Sequence, residues 1–249
     1  MSGDPSALRE LAKYAPNYQT EVFDKYPDLV GVGSRPALLD ANPVTALAFF
    51  YALPAFNRSG APRAYRSFAI TALDDTSSSR KIDTARFWET FQEICRDQGY
   101  GVNEKMNRGV IVEGADLANR RGNLYDWVHR EVSTTGRLQP LYEEVVDITG
   151  IGENLAMFFL RDAIWVADIE SKVGEGGHFY LQPTTAPIKE CAKGIWPGRN
   201  NHDHGLAAEL TKFCLNEGVS PIEFNQGAWY FTRFVTDSKS DIAREVEKL

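Results

Sequence analysis

The sequence predicts a mainly α protein, and three observations lead to this fold class. Apolar side chains recur at helical spacing through most of the chain, Gly and Pro clusters separate these stretches, and alternating strand patterns are scarce. A chain of 249 residues suits one large domain or two helical lobes. We therefore expect a single unit over residues 1–249, with an N-terminal helical part over 1–115 and a second part over 116–249.

In the first part, the pattern predicts helices over residues 5–14, 43–53 and 83–98. Asn42 and Asp83 are residue types that favour N-cap positions, and Pro43 suits the first helical position. Residues 58–66 contain three arginines and no acid, so we expect a loop there. Residues 110–112 form a short β-like run, which cannot make a sheet alone.

In the second part, helices are predicted over residues 123–132, 138–148, 153–165, 185–193, 204–216 and 225–235. The second and third of these form a pair. Leu141, Val145 and Ile148 make one apolar stripe, and a second stripe begins at Leu155, Ala156, Phe159 and Leu160. The pattern predicts a helical hairpin over residues 138–165, with a tight turn between the two helices.

The turn of this hairpin reads Thr149-Gly150-Ile151-Gly152. Two glycines around one aliphatic residue let the backbone turn tightly and approach another surface closely. Their amides, at a helix N-terminus, then suit an anion such as a DNA phosphate. The predicted DNA-binding residues of the turn are Thr149, Gly150, Ile151, Gly152 and Glu153. The alternative is an ordinary turn between two core helices.

Together with two later segments, the hairpin resembles the helix-hairpin-helix DNA glycosylases, nearest to the archaeal-type branch that removes oxidised guanine. The segments are residues 180–189, Tyr-Leu-Gln-Pro-Thr-Thr-Ala-Pro-Ile-Lys, and residues 225–230, Asn-Gln-Gly-Ala-Trp-Tyr. The resemblance covers about the C-terminal half. It implies a glycosylase-like fold of two helical lobes that binds duplex DNA and accommodates an extruded base.

The chain departs from that family at the two positions that usually carry its chemistry. Asn154 stands where the resemblance implies a lysine that attacks the sugar, and Thr185 where it implies a charge-stabilising aspartate. An amide cannot form a Schiff base, and a hydroxyl supplies no negative charge to a developing cation. Asp162 is a candidate for a substitute carboxylate, and the alternative is that it forms an ion pair with Arg161 or with a neighbouring helix. Asp168 and Glu170 are two further candidates to replace the missing aspartate. The alternative is that both are solvated residues of a loop.

Other residues of the matching segments are candidates for the base pocket. Gln182, Asn225 and Trp229 are placed there by the resemblance, because glycosylase pockets hold an extruded base between apolar faces and polar groups. Trp229 is otherwise a packing anchor, and Asn225 with Gln226 would otherwise cap the last helix. The candidates for a basic DNA-facing surface are Arg58, Arg63, Arg66, Arg120, Arg121 and Arg130.

Composition limits the class of protein more than its function. The net charge of −7 argues against a chain that merely coats nucleic acid, although a local basic face still acts within about 8–10 Å. No apolar run suits a membrane span, no secretory leader is evident, and the three cysteines lie far apart. We expect a cytoplasmic protein with no membrane partner, no cofactor and no metal. His202 and His204 could chelate a metal but more simply belong to a polar loop.

Three functions stay open from the sequence. The first is an enzyme with altered chemistry, such as the phage enzymes that join amines to 5-hydroxymethyl-pyrimidine in DNA, which the resemblance suggests. The second is a non-catalytic reader of modified DNA. The third is a monofunctional glycosylase that uses another carboxylate. The target base and the oligomeric state are not determined by the sequence.

Overall fold

A computed structural model describes residues 3–21, 34–56, 62–78, 81–197, 203–236 and 241–249. Within these ranges the regular structure is almost entirely helical, which confirms the mainly α class. Strands β1 (Ser77–Ser78) and β2 (Lys81–Ile82) form one short antiparallel ladder, with Ser77 opposite Ile82. None of the helices in the described ranges is long and apolar enough to cross a membrane.

The α-helices are numbered in chain order. They are α1 (Pro5–Ala12), α2 (Ala15–Gln19), α3 (Arg35–Asp40), α4 (Pro43–Phe50), α5 (Ala64–Thr76), α6 (Thr84–Asp97), α7 (Glu104–Arg108), α8 (Gly114–Arg121), α9 (Leu124–Thr135), α10 (Gln139–Val146), α11 (Glu153–Ala167), α12 (Ala186–Ile195), α13 (Asp203–Asn216), α14 (Pro221–Tyr230) and α15 (Ile242–Val246). Wider π-helical turns cover Tyr51–Ala55, Gly109–Glu113 and Phe231–Val235, and 3-10 turns cover Glu170–Lys172 and Gly177–Leu181.

The chain divides into two compact units. The terminal unit comprises residues 1–25 and 175–249, and the central unit comprises residues 26–174. This division differs from the expected boundary at residue 115. Helices α1 and α2, at the start of the chain, pack against α14 near its end, and Leu8 and Leu11 share one core with Phe224. Periodicity along the chain carries no information about such a long-range pairing.

The terminal unit is built from capped helices around an apolar core. Asp4 accepts hydrogen bonds from Ser6 N and Ala7 N at 2.8 and 3.4 Å and so caps α1, while Ser220 Oγ accepts from Glu223 N at 3.1 Å at the start of α14. Proline follows both caps, where its missing N–H costs nothing. The core includes Leu8, Leu11, Ile188, Ile195, Leu206, Leu210, Phe224, Ala228, Ile242 and Val246.

The central unit has a core rich in aromatic rings. Phe50 and Tyr125 both meet Phe159 of α11 edge to face, with ring centroids 5.2 and 5.4 Å apart. Edge-to-face contacts add to the apolar burial of such rings. The buried aromatic residues include Phe49, Phe50, Tyr51, Phe56, Phe87, Phe91, Tyr125 and Phe159. Helix α11 is therefore an internal element of this unit from Ala156 onward, while its N-terminal residues Glu153 and Asn154 are exposed.

Several predicted helix starts are confirmed. Asn42 Oδ1 accepts from Thr45 N at 3.0 Å, with Pro43 at the first helical position, and Asp83 Oδ1 accepts from Arg86 N at 3.1 Å. Helices α10 and α11 match the predicted hairpin helices to within a few residues. These predictions succeed because caps and stripes are local signals.

Three local predictions are wrong. Residues 110–112 belong to the π-helical turn Gly109–Glu113 rather than to a β-like run, since buried β-branched residues suit either structure. The predicted loop at residues 58–66 ends at α5, which begins at Ala64. The last predicted helix begins earlier, with Ser220 as its N-cap, so Asn225 and Gln226 lie inside α14 and do not cap it.

Candidate functional site: the helical hairpin and its turn

The two helices of the hairpin pack through the predicted apolar stripes. Leu141, Val145 and Ile148 are buried on the first helix, and the buried face of α11 includes Ala156, Phe159 and Leu160. Ala156 is fully buried, as expected for a small residue where two helices approach closely. The sequence pattern thus predicted both the element pair and its buried face.

The turn between the helices has the conformation for which its glycines are suited. Ile151 N donates to Ile148 O at 2.9 Å, and Gly150, third in that four-residue turn, has φ of 94°. This positive φ is typical of a type II turn and strains any residue with a Cβ. Ile151 is buried beneath the turn, whereas Gly152 is exposed and extended, and a Cβ added to it would meet only open space.

Four amides at this turn are free to bind a ligand. Thr149 N donates to the Glu113 carboxylate at 2.6 Å, and Leu155 N and Ala156 N both donate to Gly152 O. Within the described ranges, the amides of Gly150, Gly152, Glu153 and Asn154 have no hydrogen-bond acceptor. They lie at the N-terminus of α11, a 15-residue helix whose dipole also favours an anion there. This arrangement is of the kind that suits an anion.

Three of the arginines predicted for a basic surface are ion-paired inside the central unit. Arg121 binds Glu144 through two nitrogens, with Nη2 2.9 Å from the carboxylate, and Arg120 Nη2 lies 3.8 Å from the same group. Arg130 Nε lies 2.8 Å from Asp126. All three remain substantially exposed, so these pairs are weak and can exchange partners.

Two of the remaining arginines of that prediction lie on or next to α5. Arg63 is exposed immediately before α5, and Arg66 is partly buried in its first turn. Arg58 lies outside the described residues. The prediction of a DNA contact at Arg58 and Arg63 stays a prediction.

The two positions that depart from the glycosylase pattern lie in different units. Asn154 is exposed on the first turn of α11 in the central unit, beside the free amides. Thr185 precedes α12 in the terminal unit with an extended backbone, and its hydroxyl does not cap the helix. The Thr185 Oγ1 atom is shielded from solvent and has no hydrogen-bond partner among the described residues. Their meeting in one pocket stays a prediction.

Asp162, the first substitute carboxylate, forms a buried ion pair with its neighbour. Arg161 Nη2 and Nε lie 2.8 and 2.9 Å from Asp162 Oδ1, and the Arg161 guanidinium lies 4.2 Å from the Phe158 ring centre. Burial, and secondarily the Asp162 charge, raises the pKa of Tyr125 well above its ordinary value. This geometry favours the ion-pair interpretation, because the charge of Asp162 is already compensated inside the core.

The other two candidate carboxylates, Asp168 and Glu170, lie at and just after the end of α11, in the region for which a solvated loop was the alternative. Asp168 ends α11 in the left-handed conformation, with φ of 55°, and its side chain is 89% exposed. Its carboxylate lies 3.6 Å from Arg35, whose guanidinium covers the Trp165 ring at 4.6 Å. Glu170 begins the following 3-10 turn and is partly buried.

In the terminal unit, the predicted base-pocket amides form a closed hydrogen-bond network. Gln182 Nε2 donates to Pro221 O at 2.7 Å, and Asn225 Nδ2 donates to Gln182 Oε1 at 2.9 Å and lies 3.3 Å from Pro183 O. Gln19 Nε2 donates to Gln226 Oε1 at 2.9 Å. Gln182 and Asn225 are 0 and 1% exposed. The two matching segments do meet, but their amides bind each other, which favours a structural role.

The aromatic residues of the last matching segment also contact the start of the chain. Trp229 meets Tyr18 edge to face with ring centroids 5.3 Å apart, and Tyr230 stacks on Tyr14 at 6.3 Å. Both residues are partly buried. For Trp229 these contacts favour the packing-anchor alternative over the base pocket.

No metal cluster is found in the described part of the chain, and two of its cysteines have raised pKa values. No group of three or more His, Cys, Asp or Glu side chains is arranged there to hold a metal ion. His202 and the side chain of His204 lie outside that description. Burial raises the pKa of Cys95 to about 11 and that of Cys191 further, so neither is a thiolate at neutral pH.

Comparisons with protein-family models, with curated proteins and with solved structures found no match to this chain. The candidate site therefore rests on its own geometry. Sequence reasoning missed Glu113 and Gly109, which contact the turn from a segment far away in the chain. An isolated glutamate and glycine carry no local signal of such a contact.

Proposed function

We propose that the chain binds duplex DNA through the hairpin turn, with one backbone phosphate seated on the amides of Gly150, Gly152, Glu153 and Asn154. The observation that carries the proposal is that these four amides lack an acceptor in the described structure and lie at one helix N-terminus. Backbone amides in this arrangement bind phosphate without basic side chains. A net charge of −7 is compatible with such a local site, because charges are screened beyond about 8–10 Å.

We further propose that the bound DNA presents an extruded, modified base, which the protein recognises or modifies without Lys/Asp glycosylase chemistry. The resemblance to the helix-hairpin-helix glycosylases supports the base-flipping element of this proposal. The amide at Asn154 and the hydroxyl at Thr185 argue against sugar-directed excision. A transferase that acts on 5-hydroxymethyl-pyrimidine would not need either family residue, because its reaction is at the exocyclic carbon.

A pair of glycine variants tests the DNA-binding proposal. Gly152→Ala adds a methyl group that meets nothing in the protein, so its free energy of unfolding should change by no more than about 1 kcal/mol. The methyl group would instead obstruct a phosphate on the turn, and we expect duplex affinity to fall about tenfold. Fluorescence anisotropy over a salt series measures this, with a log–log slope near −0.9 for each phosphate contacted.

Gly101→Ala is the matched control, because a methyl group there also meets nothing and the residue is remote in sequence from the turn. It should bind duplex DNA as the unmodified protein does. Salt-independent binding, no binding to any duplex at low salt, or equal affinity of the Gly152→Ala and Gly101→Ala proteins would contradict the proposal.

A further inference from the structure

The π-helical turn Gly109–Glu113 is an unusual segment inside the central unit. Such wide turns are rare and often occur at functional sites. The Tyr51 hydroxyl lies 3.0 Å from Ile111 O and 3.3 Å from Val110 O and donates to this carbonyl pair. Burial, and secondarily the charge of Asp116, raises the pKa of Tyr51, so the hydroxyl remains a donor. The segment is therefore fixed from within the core.

Both ends of this segment contact the first residue of the hairpin turn. At one end, a Cβ on Gly109 would overlap the carbonyl oxygen and Cβ of Thr149 and would lie 2.9 Å from its carbonyl carbon. At the other end, the Glu113 carboxylate accepts the hydrogen bond of Thr149 N at 2.6 Å. Only glycine permits the first contact, and the second is a charge-assisted hydrogen bond at a partly buried position.

These contacts determine how the neighbouring amides are presented. Thr149 directly follows Ile148, whose carbonyl oxygen accepts the hydrogen bond of Ile151 N that closes the turn. If Thr149 N had no acceptor, only the hydrogen bond of Ile151 N and the close approach of Gly109 would hold this peptide, so we expect the neighbouring amides to vary more in direction. The Glu113 carboxylate accepts the Thr149 amide, and the amides of Gly150, Gly152, Glu153 and Asn154 have no acceptor in the described structure.

We propose that Glu113 is a positioning residue, which holds the hairpin turn in its phosphate-binding conformation through the amide of Thr149. The inference rests on the proposed function, since it explains the Thr149–Glu113 hydrogen bond by its effect on DNA binding. Gly109 and Tyr51 support the same arrangement, by close approach and by holding the π-helical turn.

Charge and hydrogen bonding at Glu113 have opposite effects on DNA affinity, which makes the two separable. A carboxylate beside a phosphate site repels the ligand, so removal of the charge alone should keep or raise affinity. Removal of the acceptor should lower affinity, because the turn is no longer held. Glu113→Gln removes only the charge, whereas Glu113→Ala removes both.

The experiment compares Glu113→Gln, Glu113→Ala and, as a control, Glu93→Ala, an exposed glutamate on α6. Hydrogen exchange of a peptide covering residues 148–155 is measured with duplex affinity. For Glu113→Ala we expect about tenfold faster exchange and about tenfold weaker binding, since a hydrogen bond to a charged group is worth at least that factor. Glu113→Gln should stay within about threefold of the unmodified protein, and Glu93→Ala should not differ from it.

Equal affinities for the Glu113→Ala and Glu113→Gln proteins, or unchanged exchange in Glu113→Ala, would overturn the inference. Should Glu113→Ala fail to fold, Tyr51→Phe keeps the ring and removes the support of the π-helical turn, and unchanged exchange of the hairpin would then overturn it. If the unmodified protein binds no duplex, the proposed function fails and the inference with it. Faster hydrogen exchange of residues 148–155 in Glu113→Ala would in that case show that Glu113 stabilises the turn and has no role in DNA binding.

Discussion

The hairpin turn and the Gln182–Asn225 network both lie in segments that resemble the glycosylase family, yet their polar groups are used differently. At the turn, four backbone amides have no acceptor in the described structure. In the terminal unit, the side-chain amides of Gln182 and Asn225 bind each other and nearby carbonyls, shielded from solvent. Because buried polar groups are almost always paired, a buried pair of this kind indicates scaffold, whereas an accessible amide without a protein acceptor is open to water or to a ligand.

The same contrast applies to the charged residues beside the hairpin. Arg161 and Asp162 are buried and neutralise each other, whereas Asp168, at the end of the same helix, is almost fully exposed. A carboxylate that already compensates a buried arginine is unsuited to a second role in catalysis. The predictions below test this division between scaffold and site.

The largest expected effect is from Asp162→Asn. It would remove the Asp162 charge from the buried Arg161, and the free energy of unfolding should fall by about 3–5 kcal/mol. Urea denaturation followed by circular dichroism measures the change. Asp168→Asn is the matched control and should differ from the unmodified protein by no more than about 0.5 kcal/mol, since its side chain is 89% exposed.

A different outcome for Asp162→Asn would change the assignment. If that protein were as stable as the unmodified one and lost a reaction on DNA, Asp162 would be a catalytic residue and the third hypothesis, a monofunctional glycosylase, would gain support.

An intermediate effect on stability is expected when an asparagine is replaced by alanine in the Gln182–Asn225 network and, for comparison, at the hairpin turn. Asn225→Ala leaves Gln182 Oε1 without its buried donor, so the free energy of unfolding should fall by about 1–3 kcal/mol. Asn154→Ala, on the exposed first turn of α11, should change it by less than about 0.5 kcal/mol. Equal stability of both variants, with DNA affinity lost only in Asn225→Ala, would instead make Asn225 a base-reading residue.

The last prediction is a negative result: the protein should neither cleave the glycosidic bond of DNA nor form a covalent adduct with its deoxyribose. With Asn154 in place of a lysine, borohydride should trap no covalent adduct between the protein and abasic or oxidised-guanine DNA. Mass spectrometry should detect no free base released from a panel of modified duplexes. A bifunctional glycosylase serves as the positive control. A strong trapped band would mean that another lysine, such as Lys189 or Lys193, is the nucleophile and that the comparison with the family at Asn154 is wrong.

Local chemistry determined much of this protein. Asn42 and Asp83 identified helix starts, the stripe of Leu141, Val145 and Ile148 identified the buried face of the hairpin, and Gly150 identified the turn, because each signal depends on neighbours a few residues away. The mainly α class follows from many such signals.

Only the tertiary structure decided which polar groups remain available. It enclosed Gln182 and Asn225 in a network, and it set Glu113 against Thr149 across the sequence. It also joined α1 and α2 to α14, so that the units divide at residues 25 and 174 rather than at 115. A residue type states what a side chain can bind, but its partner is determined by packing between segments remote in sequence, which periodicity along the chain cannot reveal.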